Sequence, residues 1–311
     1  MRCLKDYISP VLCGGLGNNL FQVATSLSYS KDSSVESIFG YWSSHNSMSR
    51  LPEDHNSKSA GLPNPFFNKW AGWKTRTDFN LKDIFPRLNW FENQDPAAPG
   101  EFSTLNEIYH WSFGIDTGTG GIYEPLNIKQ GDQFYGYFFN KKYWHHNRET
   151  LLYNLSFDPD RVNLVKSKYG ELLDKKSVSI NLRFSDLDVA SESEMSYRLG
   201  YIDQIEFIVN AISMFGKDSR FIVTSSDQQK SKDLINSDPR LEEYDFVFIN
   251  EDFDLQLIIS SMCTGHILTN STFSFWCCYL DPNVEWARVI VSKTFEEAHS
   301  KEMIPYNWKI I

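Results

Sequence analysis

The feature that most constrains this chain is the alternation in its second half. Short apolar runs stand at 177–182 (SVSINL), 220–224 (RFIVT), 245–249 (DFVFI), 265–269 (GHILT) and 288–293 (RVIVSK). Segments with helical character lie between them: 201–215, a polar stretch from about 227, 253–262 and 272–280. In the first of these, Tyr201, Ile205, Ile208, Ile212 and Phe215 recur at steps of 4, 3, 4 and 3, which puts them on one helical face. Strands alternating with helices bury a parallel sheet and join it by right-handed crossovers, so the second half reads as α/β.

The first half is less regular. Residues 7–12 (YISPVL) read as a strand, CGGLGN as a glycine turn and NNLFQVATSLSYS as a helix burying Leu20, Phe21, Ala24 and Leu27. Further strands are expected at 35–42 and 134–139, with long loops and short helices across 43–131. FDPDRVNLVKSKYG connects the two regimes, so we divide the chain into domains at 1–155 and 156–311.

Charge and cysteine usage narrow the function. Thirty basic against 40 acidic residues give −10, and a net anion repels phosphate backbones and anionic lipid. Nucleic acid is therefore not expected as a partner. The apolar runs fall short of the roughly 20 residues of a membrane helix, and the start lacks the apolar centre of a signal peptide. Cys3, Cys13, Cys263, Cys277 and Cys278 are odd in number and lack CxxC spacing. They read as reduced thiols in a cytoplasmic setting rather than a zinc site.

Four segments carry candidate chemistry. Glycines 14, 15 and 17 of CGGLGNN allow close backbone approach, and the helix that follows offers free N–H groups to an anion. The alternative is an ordinary strand-to-helix turn. SINLRFSD brings Arg183, Ser185 and Asp186 to the ligand-facing edge of a sheet, where a guanidinium can clamp a phosphate by two parallel hydrogen bonds. The alternative is a surface Arg–Asp pair. In TSSDQQ, Ser225, Ser226 and Asp227 end a strand; Asp227 either caps the next helix or accepts from a ribose hydroxyl or base N–H. In HILTNSTFSFW, Asn270, Ser271, Thr272 and Ser274 open a helix and form a candidate phosphate cradle. His145 and His146 are adjacent and point different ways, and the spacing of Asp186 and Asp188 follows an Arg-bearing strand. No metal is assigned to either pair.

Taken in order, these segments resemble the α-1,2-fucosyltransferase family. GGLGNNLFQ is similar to its GGLGNQLFQ opening, and FYGYFFNKKYW to its GYFQSEKYF segment. SINLRFSD stands where the family has V-x-H-x-R-R-G-D, and FIVTSSD where it has F-x-V-x-S-D-D. DLQLIISSMCTGHILTNSTFSFW is similar to D-L-x-L-M-S-x-C-x-H-x-I-x-S-N-S-T-F-S-W-W. Departures fall at Asn19, Asn181, Phe184 and Ser185, where the family has Gln, His, Arg and Gly, and after the NSTFS core.

The resemblance implies a GT-B architecture, two Rossmann-like domains with a central cleft. It implies metal-independent, inverting transfer of fucose from GDP-fucose to a glycan hydroxyl, an α-1,2 linkage to galactose, with no cofactor. It implies Arg183, Asp186 and Asn18 as catalytic. Gly15, Gly17, Asn181, Ser226, Asp227, Asn270, Ser271, Thr272 and Ser274 would bind the donor. The competing readings are another nucleotide-sugar and a binding module without turnover. A nicotinamide oxidoreductase is disfavoured, since Glu36 is the nearest acidic residue to a ribose position after the glycine loop.

Overall fold

A computed structural model describes residues 6–10, 12, 15–39, 81–90, 104–106, 123–134, 136–173, 176–184, 204–298 and 300–311. The chain divides into two compact units, with the change-over in sequence between Ser156 and Phe157.

The first unit contains β1 (Ser9–Pro10), α1 (Leu16–Ser33), α2 (Leu81–Ile84), β2 (Thr104–Asn106), β3 (Asp132–Phe134) and α3 (Arg148–Asn154). Its three strands pair in parallel in the order β1-β3-β2. Helix α1 buries Leu20, Phe21, Val23 and Ala24. The Phe21 ring meets Phe139 at 5.2 Å and Trp144 at 5.5 Å. The expected strand at 134–139 is shorter than its sequence suggests. Gln22 Nε2 donates to the Gly136 carbonyl at 3.1 Å, and Trp144 Nε1 to the Phe138 carbonyl at 3.2 Å. Side chains thus take carbonyls that a neighbouring strand would otherwise pair, and Phe138 turns to a φ of 56°. The 35–42 run likewise yields only single bridges, Ser37 to Ile8 and Phe39 to Trp90; residues 40–42 lie outside the described residues.

The second unit begins with α4 (Pro159–Tyr169), then β4 (Ser177–Leu182), α5 (Gln204–Ile212), β5 (Arg220–Ser225), α6 (Gln228–Asn236), β6 (Asp245–Ile249), α7 (Phe253–Ser261), β7 (Gly265–Leu268), α8 (Thr272–Tyr279), β8 (Arg288–Val291), α9 (Lys293–Ala298) and β9 (Lys309–Ile310). All six strands are parallel, in the order β6-β5-β4-β7-β8-β9. Numbered from its own first strand, this is 3-2-1-4-5-6, the doubly wound Rossmann order. Both units are α/β with parallel sheets, in keeping with the GT-B class.

Two faces of this sheet are covered by different helices. On β4, Val178, Ile180 and Leu182 join Ile208 and Ile212 of α5 and Ile235 of α6 in one apolar cluster. Every residue of β4 is buried, as expected for a strand covered on both sides. On the other face, Ile222 packs with Val165 of α4 and Ile258 and Ile259 of α7. Helix α4 lies in the segment read as a connector. Asp158 caps it through Asp160 N and Arg161 N, with Pro159 at its first turn, a start signal that the sequence already carried.

Candidate active site

Strands β4 and β7 are neighbours, yet the helices that follow them, α5 and α8, cover opposite faces of the sheet. In open α/β sheets ligands bind outside the carboxyl ends of the strands at such a reversal. Leu182 pairs with Ser225 and Ile180 with Ile267. Extending that register past the strand ends brings Arg183, Ser226 and Asn270 level with one another. Three of the four segments singled out from the sequence thus arrive at one edge of one sheet.

What holds the edge together is a set of buried hydrogen bonds centred on Asn181. Its Nδ2 donates to Thr224 Oγ1 at 3.1 Å, and its Oδ1 accepts from Ser274 Oγ at 3.0 Å. Its backbone carbonyl accepts from Thr269 Oγ1 at 2.6 Å and from Ser274 Oγ at 3.2 Å. Thr224 Oγ1 lies 3.3 Å from Ser260 Oγ. Strands β4, β5 and β7 and helices α7 and α8 are thereby tied at one level. The Asn181 amide is engaged inside the sheet, and so is the Ser274 hydroxyl, which is 1% exposed.

The neighbouring groups cap helices or stand, mostly buried, at the strand ends. Ser226 is exposed and its Oγ accepts from Phe184 N at 3.1 Å, linking the ends of β4 and β5. Asp227 caps α6, its Oδ1 accepting from Lys230 N at 3.0 Å. Ser271 caps α8, accepting from Phe273 N at 3.2 Å. Asn270 and Thr272 lie beside it, 8% and 7% exposed. Arg183 is half-buried immediately after β4. Phe184, standing where the resemblance places a second arginine, is packed into the α5 cluster.

One polar array was not visible in the sequence. On β7, His266 is fully buried. Its Nδ1 lies 2.8 Å from Ser179 Oγ on β4, and its Nε2 lies 3.2 Å from Asp281 Oδ2 beyond α8. Asp281 also accepts from Asn283 N at 2.7 Å. The three residues are distant in sequence, and only the pairing of β4 with β7 brings the first two together.

Gly15, Gly17 and Asn18 belong to the first unit, at the start of α1. Gly15 is the N-cap, with extended backbone, and no side chain caps the helix there. A Cβ on Gly15 would meet nothing within 4 Å among the described residues. Asp186 and Asp188 lie outside the described residues.

Among the described residues no group of three His, Cys, Asp or Glu side chains is placed to hold a metal ion. His146 instead sits 2.8 Å from Asp32 at the end of α1, and that carboxyl is held below its ordinary range by His146 and Asn147 against the opposing effect of partial burial. Cys263, Cys277 and Cys278 are free and buried, and burial pushes all three thiols up, that of Cys263 to about 12. They are apolar packing groups rather than nucleophiles; Cys3 and Cys13 lie outside the described residues. No helix among the described residues is long and apolar enough to cross a membrane.

Comparison with solved structures finds similar chains at low identity. NodZ α-1,6-fucosyltransferase soaked with GDP-fucose is 12% identical, with 93% of this chain and 95% of that chain covered and a TM-score of 0.45. A mutant of Arabidopsis thaliana FUT1 in complex with GDP is 11% identical, with 93% and 70% covered and a TM-score of 0.49. POFUT1 in complex with GDP is 10% identical, with 93% and 99% covered and a TM-score of 0.44. At such scores they carry no argument about this chain's substrate. Comparison with the curated proteins finds no match. The sequence profile of glycosyl transferase family 11 matches residues 124–310, more than half of the chain, including all six strands of the Rossmann-like sheet and the edge built around Asn181. The chain belongs to glycosyl transferase family 11.

Proposed function

We propose that this glycosyltransferase moves fucose from GDP-fucose to a hydroxyl of a glycan, with inversion and in an α-1,2 linkage to galactose. The observation that carries the reading is the convergence of Arg183 and the polar start of α8 at the switch point of the sheet. In the reaction the acceptor hydroxyl attacks the anomeric carbon, and GDP leaves with growing negative charge. Arg183 and the N–H groups at the start of α8 are suited to offset that charge. Asn181 acts as a positioning residue, because its amide fixes the strand ends from which Arg183 and Asn270 emerge. Ser226 and Asp227, at the end of β5, are assigned to the nucleoside of the donor. Asn18, Gly15 and Gly17 are assigned to the donor phosphate or the reacting hydroxyl by resemblance alone. The acceptor proton needs a base or a water route, and Asp186 is one candidate for it.

A second reading is favoured by one observation: Phe184 is buried in the core where the family pattern has an arginine. A binding module that holds the sugar nucleotide without turnover would tolerate that loss. Measured turnover of GDP-fucose with a galactoside acceptor separates the two.

Two outcomes are expected. GDP should raise the melting temperature of the protein more than UDP or CMP does. A ligand at 100 times its Kd adds about 2.7 kcal/mol, a shift of several degrees. Equal or greater stabilisation by UDP would overturn the donor. Fucosyl transfer should also survive EDTA, since Arg183 and the α8 terminus supply the positive potential. A loss of turnover restored by Mn²⁺ or Mg²⁺ would instead bring Asp186 and Asp188 forward as ligands.

A further inference from the structure

Gln204, the first residue of α5, is 4% exposed, and neither its Nε2 nor its Oε1 has a hydrogen-bond partner among the described residues. A buried amide with both ends unmet costs about 1–3 kcal/mol per group, and native proteins carry few of them. Such a residue in a native fold calls for an explanation, and its height on the sheet offers one.

The direction of α5 is fixed at its far end. The Phe215 ring lies at the level of Gly265, whose Cβ position would be 2.7 Å from Phe215 Cε1 and 3.4 Å from Val178 Cγ2. Val178 and Gly265 are paired at the amino end of the sheet. From Phe215 back to Gln204 is 215 − 204 = 11 residues. The helix continues into its last turn through Phe215 N to the Ile212 carbonyl. At about 1.5 Å per residue it climbs roughly 16 Å. Along β4, roughly the same rise at about 3.3 Å per residue carries Val178 to Arg183. That rise puts Gln204 near the height of Arg183, on the face of the sheet that α5 covers.

We propose that Gln204 is a donor-binding residue that hydrogen-bonds a sugar hydroxyl of the nucleotide-sugar. The chemistry of the amide selects the ligand group. A carboxamide presents donors and an acceptor side by side. A phosphate oxygen accepts only and would leave Oε1 unmet. A hydroxyl both donates and accepts, and a vicinal pair engages both ends of the amide. Two parts of the donor carry such pairs next to the diphosphate, the ribose and the transferred sugar. The inference rests on the sugar-nucleotide reading above and adds a residue that no motif in the sequence marks.

The test uses the full chain carrying Gln204→Leu or Gln204→Met, with GDP and GDP-fucose binding measured by calorimetry and the ligand-free melting temperature recorded. Replacing an unmet buried amide by an apolar group of similar size is neutral or stabilising, so the free variants should melt at or above the wild type. GDP-fucose affinity should fall about tenfold or more, the worth of a lost hydrogen bond of about 1.4 kcal/mol. An equal fall for GDP assigns Gln204 to the ribose, and a fall for GDP-fucose alone assigns it to the transferred sugar. Affinities within twofold of wild type, or loss of folding in both variants, overturn the proposal, because the amide would then be structural. If the wild type takes another sugar nucleotide, the fucose reading falls while the same comparison with that donor and its parent nucleotide still decides Gln204. A wild type that binds no sugar nucleotide overturns both.

Discussion

Arg183→Ala is expected to lower kcat for GDP-fucose transfer by about 10²–10³-fold, or roughly 3–4 kcal/mol, with the fold intact. The residue leaves a fully buried strand at the switch point, level with the exposed Ser226 and with the start of α8. Phe184 packs into the core and cannot share the leaving-group charge. Arg183→Lys should stay impaired, because an ammonium keeps the charge and loses the planar fork that matches two phosphate oxygens. The measurement is kcat of the purified variants, with circular dichroism confirming the fold. Near-wild-type turnover in a folded Arg183→Ala protein would remove the residue from the mechanism. A surface ion pair alone predicts a loss of about 0–1 kcal/mol in stability and none in turnover.

The second large effect concerns stability. His266→Leu fills much of the imidazole volume but leaves the Ser179 hydroxyl and the Asp281 carboxylate facing an apolar side chain in the core. Both atoms lose a partner that water cannot replace, and each buried polar group left unsatisfied costs about 1–3 kcal/mol. For a chain of this size that lowers the melting temperature by roughly 3–9 °C. Adding Ser179→Ala and Asp281→Leu should recover part of the loss, because the stranded hydroxyl and carboxylate are removed while Asn283 N loses its acceptor on Asp281. A single variant that melts within a degree or two of the wild type would show that His266 carries no such burden.

The sheet of the second unit was legible because its strands are short apolar runs bounded by helical segments. SVSINL and DFVFI form strands over the spans read from them. The order 3-2-1-4-5-6 needed the structure, since alternation fixes parallelism but not which strands become neighbours. In the first unit, FYGYFF reads as a strand by composition, and side-chain donors from Gln22 and Trp144 outbid the sheet for its carbonyls. The α4 helix was missed although Asp158 and Pro159 announce it. Within the candidate site, residue types put Arg183, Ser226 and Asn270 at strand ends, and the sheet register brings those ends level. Asn181 reads as a ligand contact, yet its amide bonds to Thr224 and Ser274. Gln204 carries no signal in the sequence, and its unmet amide appears only with burial.

The hydroxyl and amide network around Asn181 has a consequence for how this edge moves. Proteins open in cooperative pieces, and ligand loops are usually drawn from the least stable of them. Here the groups that set the height of Arg183 and Asn270 are hydrogen-bonded into β4, β5 and β7, which are buried and central to the sheet. Shifting that edge means breaking core hydrogen bonds, so its stability approaches that of the whole unit. The edge around Asn181 is in this sense part of the slowest-opening piece of the second unit.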